Sequence, residues 1–199
     1  MRVGLRSAYI CTLMATKLMV TQSSGLIVNI SSSGGMRYDV TPLYGVRTAG
    51  LDRMVQDCHA ELRHHNQHSV NIVGLWPGPV NTEKLEETLN PSNTKQGEVL
   101  VDDPNTRESV EFPGLCVRHL LADPEISRKS GRVFTTVDIA REFSFLDITG
   151  KMPIDFLSAR NVLLFYDHPL AHWVPSWLQV PKFIFTLMQH KFQNQSQNI

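Results

Sequence analysis

Two hydroxyl-bearing residues stand where they could act together on one substrate oxygen. Ser32 follows a short apolar run, Leu26 to Ile30, and Tyr44 begins a long segment with helical periodicity. A phenol can deliver a proton to a carbonyl oxygen if a nearby cation brings its pKa down from about 10. A serine hydroxyl can orient the same oxygen by a hydrogen bond. These residue types suit proton transfer to or from a carbonyl group, which makes Ser32 and Tyr44 candidate catalytic residues.

A second apolar run ends in a turn that forms another candidate site element. The run from Val70 to Trp76 stops at Pro77-Gly78, and Thr82 stands four residues beyond the glycine. Proline ends a central strand because it has no N–H to donate, and glycine permits a close approach that a side chain would block. Gly78 therefore permits another group to approach the backbone of this turn.

The elements that must position these residues follow from the hydrophobic periodicity. Strands that alternate with helices predict an α/β fold with a parallel sheet and right-handed crossovers. We expect the 26–30 strand to be covered on both faces, because its apolar run does not alternate. The predicted elements are an amphipathic helix over 3–21, strands over 26–30, 70–76 and 131–137, and helices over 44–65 and 108–122.

The 199 residues suffice for one domain with a hydrophobic core. A polar stretch that begins near Asp138 separates this domain from a tail rich in aromatic residues and proline. We predict a domain over 1–145, in which the polar stretch 83–108 forms a substrate lid, and a C-terminal extension over 146–199. Trp173 and Trp177, with Lys182 and His190 nearby, allow two interpretations of that extension. Its aromatic residues either rest against a membrane surface or pack on the domain or on a partner subunit.

Composition excludes several other functions. The 19 basic and 19 acidic side chains cancel, which is unlike the footprint of a nucleic-acid binder. The three cysteines are widely spaced and form no Cys-x-x-Cys pair, so we expect reduced thiols in an intracellular protein and no metal site. The cluster His64, His65 and His68 lies at the end of a predicted helix and is expected to be structural. No signal peptide and no apolar run of about 18 residues is recognised.

The ordered set of Ser32, Tyr44 and Pro77-Gly78 resembles the catalytic half of the short-chain dehydrogenase/reductase family. The resemblance implies part of a Rossmann-like, doubly wound sheet of which about three strands are present. It also implies an NADP(H) or NAD(H) cofactor, contacted by Tyr44, Thr48, Pro77, Gly78 and Thr82, and a small carbonyl or steroid substrate. Association with the endoplasmic reticulum membrane and homo-oligomer formation are further expectations from the resemblance.

The sequence departs from that family at two places. A lysine normally stands four residues after the tyrosine, but Thr48 occupies that position here and Arg47 comes one residue early. One residue rotates a helix by roughly 100°, so Arg47 is expected to point away from the position that the lysine fills beside the tyrosine, unless the start of the helix is distorted. The glycine-rich loop that binds the cofactor's pyrophosphate is not found, and Gly34-Gly35 lies beyond the serine. We therefore expect a chain that lacks the N-terminal half of the family's domain.

These departures leave two functions open. The first is an NAD(P)H-dependent carbonyl reductase. The second is an inactive relative that serves as an interaction or dimerisation module, because in this family the helices matching 3–21 and 44–65 build the subunit interface. With either function, a 26–30 strand whose edge is unpaired is expected to make the protein only marginally stable.

Overall fold

The computed structural model describes residues 2–36, 41–83, 85, 106–165, 168–175 and 177–181. These residues divide into two compact units, residues 1–76 with 117–135 and residues 77–116 with 136–199. The predicted lid over 83–108 lies mostly outside the described residues, and the predicted domain boundary at residue 145 stays a prediction.

The described chain forms an α/β fold, as predicted. Its three strands make one parallel sheet in the order β1-β2-β3, with Gly25 opposite Val70 and Gly74 opposite Val133. The strands are β1 (Gly25–Ile30), β2 (Val70–Trp76) and β3 (Val133–Thr135). The α-helices are α1 (Ser7–Gln22), α2 (Pro42–His64), α3 (Phe112–Ala122), α4 (Ile126–Lys129), α5 (Thr136–Glu142) and α6 (Ala159–Phe165).

The core of the first unit forms around the central strand. All seven residues of β2 are buried, because β2 has a strand on each side. Side chains from β1, α2 and β2 form one apolar cluster, which consists of Ile27, Val55, Leu62, Val70 and Ile72. The hydroxyl of Ser130 fixes the far side of β2, since it accepts a hydrogen bond from the Ile72 N–H (3.1 Å) and contacts His59 Nδ1 (2.8 Å).

Helix α2 begins and ends close to its predicted limits. Thr41 caps it by accepting a hydrogen bond from the Tyr44 N–H (3.2 Å), and Pro42 occupies the first turn, where its missing N–H costs nothing. Buried residues such as Leu51 and Val55 recur at helical spacing, which explains why the periodicity located the helix correctly.

The first helix and the first strand differ from prediction. Residues 2–6 contain non-helical backbone at Val3 and Gly4, so the regular helix begins only at Ser7. The apolar residues of α1 surround the helix, so it is not amphipathic, and only Thr12 is buried in it. β1 lies at the edge of the described sheet, and Ile27 is its only buried residue, so the prediction of two covered faces was wrong.

By length and composition alone, one described segment, which contains α1, could cross a membrane. The segment Val3–Gln22 has a mean hydropathy of 1.2 in its most apolar window, and 6% of that window is buried. Core helices of soluble proteins and N-terminal signal sequences have the same composition.

Ring packing and a backbone hydrogen bond join distant segments of the second unit. Phe112 packs on Phe145 with ring centroids 5.7 Å apart. Leu157 accepts a hydrogen bond from the Val180 N–H (2.7 Å), which fixes the described end of the tail on its own unit. Trp173 and Trp177 are 85% and 74% exposed, so neither packs in a core.

Two predicted boundaries were wrong in this part of the chain. Helix α3 begins at Phe112 rather than Glu108, and α5 occupies positions predicted as the end of β3.

Candidate functional site

Ser32 lies on a tight turn that follows β1. Its hydroxyl oxygen caps the short 3-10 helix Ser33–Gly35 by accepting a hydrogen bond from the Gly34 N–H (3.2 Å). The neighbouring Ser31 is buried and donates its hydroxyl to the Thr48 carbonyl oxygen (3.1 Å). Ser31 therefore ties the turn to α2, while the Ser32 hydroxyl hydrogen has no acceptor among the residues that the structure describes.

Glycine allows this turn to lie directly on α2. A Cβ at Gly35 would approach the Ala49 nitrogen to 2.6 Å, and a Cβ at Gly45 would come within 3.3 Å of the Gly34 carbonyl oxygen. A side chain at position 35 would thus force the turn away from the helix. The Gly34-Gly35 pair serves this packing, and it brings the turn that carries Ser32 onto the first half of the helix that carries Tyr44.

Tyr44 stands in the first turn of α2, where its side chain is half-buried. Its phenolic hydroxyl makes no hydrogen bond with any residue that the structure describes. Tyr44 is one of the residues that line a cavity of about 230 Å³, together with Val3, Leu5, Thr41, Leu43 and Arg47. A phenol without a protein partner beside a cavity is available to a ligand.

Thr48, predicted to contact a cofactor, is fully buried. Its hydroxyl donates to the carbonyl oxygens of Tyr44 (2.9 Å) and Gly45 (3.1 Å), one turn earlier in the same helix. Its exposed fraction is 0%. Cofactor contact by Thr48 stays a prediction, while these bonds give the side chain a structural role in the start of α2.

Arg47 lies beside Tyr44, contrary to the expectation that it would point away. Its guanidinium carbon stands 5.3 Å from the centroid of the tyrosine ring. Residues three apart on a helix are neighbours, so position 47 lies on the same face as position 44. The arginine stem also crosses Gly4, where a Cβ would meet Arg47 Cδ at 2.7 Å and where φ is +109°. Gly4 therefore leaves room for a cation next to the candidate acid.

The Pro77-Gly78 turn belongs to the second unit. The Gly78 N–H donates to Glu108 Oε1 (2.7 Å), and a Cβ at Gly78 would meet that oxygen at 2.9 Å and Phe156 at 3.1 Å. Glu108 is thus the group that approaches the backbone at Gly78. Thr82 accepts a hydrogen bond from the Leu85 N–H through its hydroxyl (3.3 Å). Contact of Pro77, Gly78 and Thr82 with a cofactor stays a prediction.

Glu108 is a buried acid that sequence reasoning missed. Its exposed fraction is 1%, and its Oε2 atom has no hydrogen-bond partner within the described part of the chain. Burial raises the pKa of Glu108 to about 7, against the opposing effect of hydrogen bonds from Thr136 and Gly78. In the sequence it is one carboxylate in a polar stretch, a context typical of surface residues, and no local pattern distinguishes it.

The raised pKa predicts a pH-dependent stability. Between pH 4.5 and about 7 the native state keeps a proton that the unfolded chain has released, so the free energy of unfolding falls as pH rises. The expected loss is about 3 kcal/mol and is complete above the native pKa. Urea denaturation at several pH values measures it. Glu108→Gln, which does not ionise, should remove this dependence, and equal slopes for the two proteins would contradict the assignment.

No metal site is found in the described residues, where His, Cys, Asp and Glu form no group of three or more able to hold an ion.

Comparison with known proteins relates this geometry to a family. Residues 1–93 match the family model "short chain dehydrogenase". The chain is 40% identical, over 195 residues, to the human protein dehydrogenase/reductase SDR family member 1. That alignment covers 96% of this chain and 61% of the human protein, so the chain spans less than two thirds of the relative's length.

Solved structures share the fold. A structure titled ribose-5-phosphate isomerase from Brucella melitensis 16M superposes with a TM-score of 0.56 at 26% identity, over 67% of this chain and 51% of that one. A structure titled ElxO with NADP bound gives a TM-score of 0.52 at 22% identity, over 65% of this chain and 51% of that one. The described fold is therefore part of a Rossmann-type fold, as predicted.

Proposed function

Because residues 1–93 match the short chain dehydrogenase family model and the chain is 40% identical to dehydrogenase/reductase SDR family member 1, we propose that it is a short-chain dehydrogenase/reductase and contributes the carbonyl-binding end of an NAD(P)H-dependent reductase site. The observation that carries the proposal is the packing of the Gly34-Gly35 turn on α2, which gathers Ser32 and Tyr44 in one unit. Both hydroxyl groups can donate to a substrate oxygen. A small carbonyl compound, such as a ketone or steroid ketone, is the proposed substrate.

The residues present fit the nicotinamide end of the cofactor better than its phosphates. Ser32 and Tyr44 offer hydroxyl hydrogens without acceptors in the described structure. The Gly34-Gly35 pair, in contrast, is occupied by its packing on α2. When bound, the reduced cofactor supplies a hydride. The resemblance assigns Pro77, Gly78 and Thr82 to its carboxamide, and the choice of NADP or NAD stays open in the proposal.

In the proposed reaction Tyr44 and Ser32 act on the carbonyl oxygen. The Ser32 hydroxyl donates a hydrogen bond that orients the oxygen. Tyr44 transfers its phenolic proton to the same oxygen as the carbonyl carbon gains a hydride, so the C=O group becomes CH–OH and the tyrosine is left as a phenolate. Arg47, beside the ring, provides positive charge where the family has a lysine.

Cofactor binding tests the proposal directly. Trp76 is 4% exposed and stands immediately before Pro77-Gly78, whereas Trp173 and Trp177 are exposed. A Trp173→Phe/Trp177→Phe variant therefore leaves one tryptophan next to the turn. We expect saturable quenching of its fluorescence by NADPH, confirmed by calorimetry on the unaltered chain. A folded sample that binds neither NADPH nor NADH would exclude the proposal for this chain.

Arg47 gives a second, more selective prediction. Arg47→Met keeps the length of the stem but removes the charge from beside Tyr44, and should lower the rate of carbonyl reduction about tenfold. Arg47→Lys should retain more activity than Arg47→Met. Arg53, which is exposed and pairs with Asp57, provides the matched control, since Arg53→Met should leave the rate unchanged. Equal rates for both Arg47 variants would show that charge is not what this position supplies.

A non-catalytic role is the second candidate, favoured by the exposed apolar surface of α1. Residues that belong in an interface or a core are partly or largely exposed there: Tyr9, Ile10, Leu13, Met14 and Leu18. In this proposal α1 pairs with another subunit of the same family. Co-purification with a full-length relative would support it, and a strictly monomeric chain would count against it.

The exposed tail tryptophans support a proposed peripheral contact with an intracellular membrane.

A further inference from the structure

The carboxyl group of Glu108 does not belong to the catalytic pair, yet it lies against a turn that the proposed function uses. Its Oε1 accepts two hydrogen bonds, from the Gly78 N–H (2.7 Å) and from the Thr136 hydroxyl. Its Oε2 is buried and has no partner among the residues described. A buried acid needs a physical explanation when one of its oxygens accepts two hydrogen bonds and the other has no partner.

The backbone of the same residue binds the same turn. The Glu108 N–H donates to the Pro79 carbonyl oxygen, and the Asn81 N–H donates to the Glu108 carbonyl oxygen, each at 2.8 Å. Together with the side-chain bond to Gly78, three hydrogen bonds join one residue to the 78–81 segment. The direction of the Gly78 N–H is therefore set by Glu108.

We propose that Glu108, in its protonated form, is a positioning residue that holds the Pro77-Gly78 turn in the geometry needed for cofactor binding. The inference rests on the proposed function, which assigns this turn to the cofactor. Glu108 itself touches neither substrate nor cofactor in this proposal and acts through Gly78.

The surroundings explain why the protonated form is favoured. With a proton on Oε2, the acid keeps both hydrogen bonds on Oε1 and carries no charge into the interior. Among the described residues, no ionisable group is seen to offset a negative charge on Glu108. Asp147 repels a negative charge, and Cys116 stays a neutral thiol because burial raises its pKa to about 12. Arg107, the adjacent residue, directs a guanidinium N–H to Asn81.

Three variants test the proposal. Glu108→Gln keeps an oxygen acceptor and cannot ionise, Glu108→Ala removes the acceptor, and Glu111→Ala is the control, because Glu111 is exposed three residues away. The first measurement is the NMR signal and hydrogen exchange of the Gly78 amide. In the unaltered chain the signal should titrate near pH 7, and Glu108→Gln should abolish that titration. Glu108→Ala should speed exchange about 10- to 100-fold.

The amide measurement needs no cofactor. Unchanged Gly78 exchange in Glu108→Ala, or a Gly78 titration that persists in Glu108→Gln, would overturn the role of Glu108. If Glu108→Ala fails to fold, the titration in Glu108→Gln decides alone. The Glu111→Ala control should match the unaltered chain in both measurements.

The second measurement is NADPH affinity by calorimetry. Glu108→Ala should weaken binding about tenfold or more, while Glu108→Gln should stay near the value of the unaltered chain. Equal affinities for the unaltered chain and Glu108→Ala would overturn the positioning role and leave the proposed function standing. No NADPH binding by the unaltered chain, together with the expected Gly78 titration, would overturn the proposed function and support the control of the turn by Glu108.

Discussion

Tyr44→Phe is expected to lower the rate of carbonyl reduction by about 10²–10⁴-fold, the usual contribution of a positioned general acid. The substitution removes only the phenolic oxygen, which bonds to no described residue, from a side chain whose residue lines the cavity beside Arg47. The fold should therefore be unaffected, with a change in unfolding free energy within about 0.5 kcal/mol. Loss of NADPH absorbance with an aromatic ketone as substrate measures the rate.

The matched control is the same substitution at an exposed tyrosine. Tyr9 lies on α1 in the same unit and is 49% exposed, so Tyr9→Phe should leave the rate unchanged. Ser32→Ala should reduce the rate less than Tyr44→Phe, because it removes an orienting hydrogen bond but not the proton donor. A Tyr44→Phe protein as active as the unaltered chain would place the acid elsewhere.

The largest expected effect on stability concerns a buried ion pair after α3. Lys129 Nζ lies 2.6 Å from Asp123 Oδ2, and the side chains are 9% and 5% exposed. Burial by itself would raise the pKa of Asp123, but the hydrogen bonds from Lys129 and the Glu125 N–H hold it below its ordinary value. Asp123→Ala removes the carboxylate from a buried ammonium and should cost about 3–5 kcal/mol in unfolding free energy.

An exposed pair in the same loop provides the comparison. Arg128 and Glu125 form an ion pair with side chains 77% and 54% exposed, so Glu125→Ala should change the unfolding free energy by less than about 1 kcal/mol. Combining Asp123→Ala with Lys129→Met should recover much of the loss, because no buried charge is then left without its carboxylate. Chemical denaturation measures all four proteins. A similar cost for Asp123→Ala and Glu125→Ala would show that burial does not matter here.

The elements that local periodicity defines were predicted well. β2 is a continuous apolar run whose seven residues are all buried, and α2 carries both an apolar stripe and a capping Thr41-Pro42 pair. Each signal lies within the segment that it describes. Sequence reasoning therefore located the central strand and the helix that carries Tyr44 to within about two residues.

The errors arose where a neighbour decides the outcome. β1 has the same apolar composition as a buried strand, but its burial depends on what lies beyond it in the sheet. The backbone of Glu108 pairs with that of Val80, which keeps the residue out of α3, and this contact spans a long stretch of sequence. Arg47 lies beside Tyr44 because residues three apart share one face of a helix. The prediction had considered only the rotation between positions 47 and 48.

Gly78 and Glu108 constrain each other, although thirty positions separate them along the chain. The Glu108 carboxyl group occupies the space that a methyl group at position 78 would need, and the amide at 78 donates a hydrogen bond to that group. Neither residue can therefore change freely while the other stays. Substitutions at positions 78 and 108 should therefore be correlated among homologous sequences. A bulkier residue at position 78 should accompany a shorter one at position 108.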